Sequence, residues 1–315
     1  KGKKKGAVWF PDYFCNEALI PLREKGIDLN FYPINRNLEP DWEYIENKLK
    51  NNYSPDIFVL VHYFGFIFPL EKVTKICKKH NMILIEDGAH VLKKKNPIGN
   101  NFSIYSPRKI FPLPEIGILV SNTTKNKINY SQFNLIFFIW FFKCLTQNIL
   151  SKLNINWHLH NLKNNNNKNG NSITSQRHPS IFSLRLLNLY ENRISAYGQK
   201  RIDNYLTIEK SIKRISNIKP LFNKFPLGNI PYVFPIIVEK KYSLIKNELL
   251  KIGIVATSWN DMPPEVEESF KTYEHAIYLS KSLLLLPIHQ SIANAEINFM
   301  IDSLKNIIDK QKNNN

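Results

Sequence analysis

A chain of 315 residues, 43% hydrophobic and 22% charged, can bury a full core and does not have the composition of a disordered segment. Its three cysteines, Cys15, Cys77 and Cys144, stand at long, unrelated spacings that fit neither a disulfide framework nor a zinc site, so a reducing compartment and no metal are expected. The formal charge of +17 comes with abundant lysine, asparagine and isoleucine, which share A/T-rich codons; it is read as compositional bias, and no nucleic-acid partner is expected.

In chain order, Ala7-Val-Trp-Phe10 reads as a strand and Cys15 to Lys25 as a helix closed by Gly26. Leu29 to Tyr32 is again strand-like, Glu43 to Lys50 helical, and Ile57-Phe-Val-Leu-Val61 a fully apolar strand. Glu71 to His80 is an amphipathic helix with Val73, Ile76 and Cys77 on one side, followed by the strand Met82 to Ile85 ending at Glu86-Asp87. Continuous apolar strands separated by helices predict a mostly parallel α/β sheet covered on both faces. Ligands of such sheets bind beyond the carboxyl ends of the strands, and His62, Asp87 and the segment before Lys109 all fall there.

Phe133 to Leu145 is very apolar but far short of the ~20 residues a spanning helix needs, which predicts a buried or dimer-facing helix and no membrane partner. Residues 161–175, rich in asparagine, read as a linker between a large domain, 1–160, and a smaller α+β domain, 176–315. In that second part Ile181 to Tyr205 is helical, Tyr232 to Val238 a strand, Lys241 to Lys251 a helix, Ser282 to Leu286 a strand and Ala293 to Lys312 a terminal helix. No signal-peptide pattern opens the chain, so a cytoplasmic location is expected.

Three segments follow strands in a telling order: Val61-His-Tyr-Phe-Gly65, then Ile85-Glu-Asp-Gly-Ala-His90, then Ser103-Ile-Tyr-Ser-Pro-Arg-Lys109, with Lys109 22 positions after Asp87. Each residue alone has a plainer reading. Asp87 is of the type that caps a helix or turn, Lys109 beside Arg108 reads as a solvated basic pair, and His62 and His289 read as structural. Trp259 and His275 read as packing or rim residues, and Cys15 as a small buried one. Prolines and apolar residues around Lys109 favour a semi-buried amine whose pKa is depressed.

With this order of segments the chain resembles the DegT/DnrJ/StrS family of sugar aminotransferases that use pyridoxal 5′-phosphate (PLP), in a divergent branch with a Ser-Pro-Arg-Lys motif. Phe10-Pro-Asp-Tyr-Phe-Cys15, Pro231-Tyr-Val-Phe-Pro235 and Leu286-Pro-Ile-His-Gln290 extend the resemblance over nearly the whole chain. It implies the type I fold of PLP-dependent transferases, a homodimer, and transfer of an amino group from a donor such as glutamate to a keto nucleotide-sugar. By the same resemblance Lys109 would form the imine with PLP and shuttle protons, and Asp87 would pair with the pyridinium nitrogen. His90 would replace a glutamine at the cofactor's 3′-hydroxyl, Ser106 or Ser103 would contact the phosphate, and His62 or Tyr63 would lie near the ring.

Three departures from the family pattern accompany it. Ile116 stands where a glycine is usual, Ile104 stands where a serine is usual, and the Gly/Ser-Ala segment that cradles the phosphate has no counterpart, as though the large domain were N-terminally incomplete. They carry the second reading: a relative with impaired catalysis that keeps the fold as a binding or scaffold subunit.

Overall fold

The computed structural model describes residues 6–51, 53–92, 101–122, 131, 135–152, 178–225, 228–239, 242–259 and 261–313. The first half alternates as predicted: β1 (Ala7–Pro11), α1 (Asn16–Glu24), β2 (Asp28–Tyr32), α2 (Trp42–Lys50), β3 (Ile57–Val61), α3 (Glu71–Lys79) and β4 (Ile83–Gly88). Gly26 ends α1 in the left-handed region, φ 63°, and the Asp41 carboxylate caps α2 by accepting from the Tyr44 N–H at 3.0 Å. In α3, Val73 and Cys77 are the buried pair, one turn apart.

Two short strands, β5 (Phe102–Tyr105) and β6 (Ile118–Ser121), complete a six-stranded sheet of order β2-β1-β3-β4-β5-β6. All pairings are parallel except that of β5 with β6. The winding reverses at β1, which has β2 on one side and β3 on the other, so the carboxyl ends of β1 and β3 form the crevice where such sheets bind ligands. β1 and β3 are buried along nearly their whole length. The expected cover on both faces is not met at the other edge, where Ile83 and Ile104 are each 41% exposed and Leu119 is 62% exposed.

In the second half, α4 (Leu135–Lys152) runs further than the apolar stretch alone indicated; residues 133–134 and the linker 161–175 lie outside the described residues. The helix expected from Ile181 to Tyr205 is two helices, α5 (Ile181–Glu191) and α6 (Ile194–Ile212), parted at Asn192 and Arg193. β7 (Ile218–Pro220), β8 (Val233–Val238) and β9 (Leu283–Pro287) make an antiparallel sheet of order β7-β8-β9 with β8 wholly buried. α7 (Tyr242–Lys251), α8 (Pro264–Glu268), α9 (Glu274–Ser282) and α10 (Asn294–Asn313) complete the order. Among the described residues no helix is long and apolar enough to cross a membrane.

One apolar core runs from Trp9, Phe58 and Leu84 of the large sheet to Tyr205, Phe234 and Leu286 around the small one. The junction between them is held at Phe64-Gly65, where the Tyr232 N–H donates to the Phe64 carbonyl at 2.7 Å. Phe64 itself is left-handed, φ 56°, and Gly65 follows at φ 89°. A Cβ on Gly65 would overlap the Ile230 carbonyl and come within 2.9 Å of the Tyr232 nitrogen, so only glycine fits.

Candidate active site

The carboxyl ends of β3, β4 and β5 bring together most of the residues singled out from the sequence. Asp87 closes β4 opposite Val61 of β3, its Oδ1 accepting from the Ala89 N–H at 2.9 Å. The residue is half-exposed, yet protein surrounds its carboxyl closely. Burial pushes the Asp87 pKa above the usual carboxylate range, while the Ala89 N–H and Lys109 act to lower it. Lys109 ends a single 3₁₀ turn, Pro107–Lys109, that follows β5. Its side chain as a whole is open to solvent, and its amine lies 3.2 Å from His90 Nε2. Desolvation of that amine lowers its pKa below the ordinary lysine value, Asp87 and Cys15 opposing and Arg108 reinforcing the shift.

His90 sits at the centre of an aromatic stack. Its ring lies flat against Tyr232 (4.7 Å, 7°) and parallel to Phe64 (5.9 Å, 11°), with Trp259 edge-on at 5.4 Å. Burial, with the charge of Lys109, holds the imidazole well below its ordinary pKa, so it is neutral. Its Nδ1 faces the Phe64 N–H at 3.4 Å, a direction set by the left-handed Phe64 backbone, and therefore accepts. A neutral imidazole has one donor and one acceptor, so the proton belongs on Nε2, pointing at Lys109. The pair is satisfied when the Lys109 amine is neutral and accepts.

His62 is not part of this cluster. It lies on the sheet face of Glu86, opposite Asp87, because side chains alternate along a strand. Its Nδ1 accepts from the Phe68 N–H at 3.1 Å and its Nε2 reaches Glu86 Oε2 at 3.2 Å, which leaves the ring no capacity for a ligand. Ser103 pairs with Glu86 in register and is 1% exposed, so it too faces away from Asp87. Ser106 precedes the turn of Lys109, half-buried, with its hydroxyl free of any capping bond. Tyr63 is fully engaged, its hydroxyl donating to the Tyr13 carbonyl at 2.6 Å. Trp259 packs against Tyr13, Tyr63 and Phe64 as well as His90, in line with its reading as a packing residue.

Two groups escaped the sequence reading. Tyr232, which stacks on His90, lay within Pro231–Pro235, a segment quoted only for resemblance. Arg201, 2% exposed on α6, carries no signal that separates it from a solvated Lys-Arg pair. A cavity of about 170 Å³ is lined by both, together with Lys109 and His289. A larger one, about 390 Å³, lies elsewhere, between Leu38, Phe66 and Phe222. Among the described residues no cluster of His, Cys, Asp and Glu is suited to a metal ion.

The residues fit PLP at two points: a strand-end carboxyl with one oxygen unbonded, for the ring nitrogen, and an amine close enough for its charge to act on that carboxyl. Residues 26–124, which include Asp87, His90 and Lys109, match the model of the DegT/DnrJ/EryC1/StrS aminotransferase family. No curated protein matches the chain in sequence. Solved structures resemble it over nearly its whole length. A DegT DnrJ EryC1 StrS aminotransferase from Brucella abortus has a TM-score of 0.66 at 16% identity, covering 96% of this chain and 80% of that one. PseC of Helicobacter pylori, an aminotransferase involved in the biosynthesis of pseudoaminic acid, scores 0.65 at 18% identity, covering 98% and 81%. The PLP-form of Spr1654 from Streptococcus pneumoniae scores 0.66 at 16% identity, covering 97% and 81%. The fold is thus that of the type I PLP-dependent aminotransferases, and the segment bearing Asp87 and Lys109 is similar in sequence to the DegT/DnrJ/EryC1/StrS aminotransferase family.

Proposed function

We propose that this chain is a PLP-dependent aminotransferase acting on a keto nucleotide-sugar, as a homodimer, with residues 1–160 and 176–315 as its two domains. The observation that carries the reading is the Lys109 amine held 3.2 Å from a neutral His90, on the same strand-end edge as Asp87. PLP, when bound, supplies an electron-withdrawing ring that acidifies the C–H next to the transferred nitrogen. Lys109 would hold it covalently through Nζ, and the same nitrogen would then take and return that proton. Asp87 would keep a proton on the ring nitrogen, gaining the cationic partner that its buried carboxyl lacks. His90, wedged between Tyr232 and Phe64, presents an N–H towards Lys109 and orients the amine. Ser106, whose hydroxyl makes no capping bond, would contact the phosphate. A basic surface suits a phosphorylated acceptor.

Purified protein titrated with PLP should develop a near-visible absorption band, and Lys109→Ala should abolish it. A wild-type protein that binds no PLP sinks the reading. One observation favours the second reading, a binding or scaffold relative. Ile116, at the family's glycine position, keeps a backbone φ of 123°, which strains a β-branched residue in the loop that follows Lys109.

A further inference from the structure

Three loops meet around the cavity of about 390 Å³. Residues 37–39 follow β2, residues 61–69 end and follow β3, and residues 221–224 follow β7, so the cavity lies where the two sheets join. Among the described residues it shares no lining residue with the cavity beside Lys109. Its volume falls within the roughly 300–1,000 Å³ of small-molecule sites, which favour such junctions. The walls are apolar and largely aromatic: Tyr63, Phe66, Phe68 and Phe222, with Leu38 and Leu221. Phe66 and Phe222 meet edge-on at 4.6 Å. The Ile67 N–H donates to Asn229 Oδ1 at 2.7 Å, which ties the loop after β3 to the segment before β8.

Two opposite charges line the same cavity and do not meet. Glu39 and Lys224 are both exposed, yet among the described residues neither forms an ion pair, with the other or with a third group. The Glu39 carboxylate is held in place by Asn35, whose Nδ2 donates to Oε2 at 3.0 Å. Asn35 Oδ1 in turn accepts from the Glu39 N–H at 3.1 Å and the Asn37 N–H at 2.8 Å. That leaves Glu39 Oε1 for an incoming cation. The same loop keeps Leu38 buried at φ 66°, so this wall is formed before any ligand arrives. A fixed anion, a cation and an aromatic interior in one cavity complement a zwitterion that carries a ring. We propose that this cavity binds a free amino acid with an aromatic side chain, at a site separate from the Lys109 cleft. Its ammonium goes to Glu39, its carboxylate to Lys224 and its ring among Phe66, Phe68 and Phe222. A ligand with one charge engages only one of the two rim groups.

The test is calorimetric titration of the full chain freed of PLP with L-phenylalanine and with three analogues that each lack one part. These are 3-phenylpropionate without the ammonium, phenethylamine without the carboxylate, and alanine without the ring. Phenylalanine should bind at least tenfold more tightly than any of them. Glu39→Gln should bind phenylalanine about as weakly as 3-phenylpropionate, and Lys224→Gln about as weakly as phenethylamine. Both side chains are exposed, so both variants should fold. Lys109→Ala should bind phenylalanine as the wild type does. No binding of phenylalanine, an analogue that binds as tightly, or charge variants with unchanged affinity would overturn the proposal. Loss of binding in Lys109→Ala would overturn it too, by moving the ligand to the Lys109 cleft. A wild-type protein without a PLP band removes the aminotransferase reading and leaves this result standing on its own.

Discussion

At the scale of the residue, the charge of Lys109 helps lower the His90 pKa, while burial lowers that of Lys109 itself. The left-handed Phe64 turns its N–H onto His90 Nδ1, which leaves the Nε2 hydrogen for Lys109. A folded pKa below the ordinary 10.5 means that the unfolded chain binds more protons between the two values. Stability therefore rises with pH across that window, and the contribution of Lys109 is lost as pH falls through its folded value. Solvent reaches this lysine, so the effect on stability is small and the reactivity of the amine is the better readout. In PLP-free protein, trinitrobenzenesulfonate labelling of Lys109 should have its midpoint below that of an ordinary lysine. In His90→Leu, which keeps an apolar wall but loses the donor, the midpoint should rise, since the hydrogen bond to the neutral amine is gone. A midpoint that stays put or falls would show that the imidazole does not donate. Asp87, Lys109 and His90 were legible as candidates in the sequence because each lies at or just after a strand end and they come in a fixed order. Arg201 was not, since burial of a helical arginine is decided by what packs over it.

At the scale of the element, long apolar runs such as Ile57–Val61 were legible because a buried strand needs no alternation. The break between α5 and α6 was not, since apolar residues recur at helical spacing straight through Asn192 and Arg193. β5 and β7, of four and three residues, are too short for any period to show. The loop between Lys109 and β6 gives the sharpest case. Ile116 is buried at 9% with Leu92, Ile110, Phe111 and Leu113, yet holds φ 123°. Its packing opposes a strain of about 1–3 kcal/mol. Ile116→Ala loses the packing and keeps the strain, whereas Ile116→Gly loses both. The glycine variant should therefore be the more stable of the two by about 1 kcal/mol in denaturant unfolding, the reverse of the usual order of alanine and glycine. An alanine variant as stable as the glycine variant, or more so, would mean that the backbone relaxes out of that conformation.

At the scale of the whole molecule, α4 is the element whose composition and exposure disagree. Phe137 is buried against Phe182 at 5.2 Å, but Leu135, Ile139 and Phe142, at 63%, 61% and 58% exposure, form a stripe continued by Leu145 and Ile149. Positions three and four apart share a helix face, so the exposed residues make one surface. Five large apolar side chains exposed on one face make a contiguous patch of the kind that marks an interaction site. Lys143 is the charged side chain described among its exposed residues, so the net charge of +17 is not concentrated here to oppose pairing. A second copy of this chain is the occupant that agrees with the homodimer proposed above. Sedimentation equilibrium at micromolar concentration should give twice the monomer mass of 36.9 kDa. The double substitution Ile139→Glu with Phe142→Glu should return the monomer, because like charges would be buried against each other across the interface. A wild-type monomer under those conditions, or a dimer indifferent to the two glutamates, would remove α4 from the interface. In that event the stripe would be an exposed apolar face with some other role.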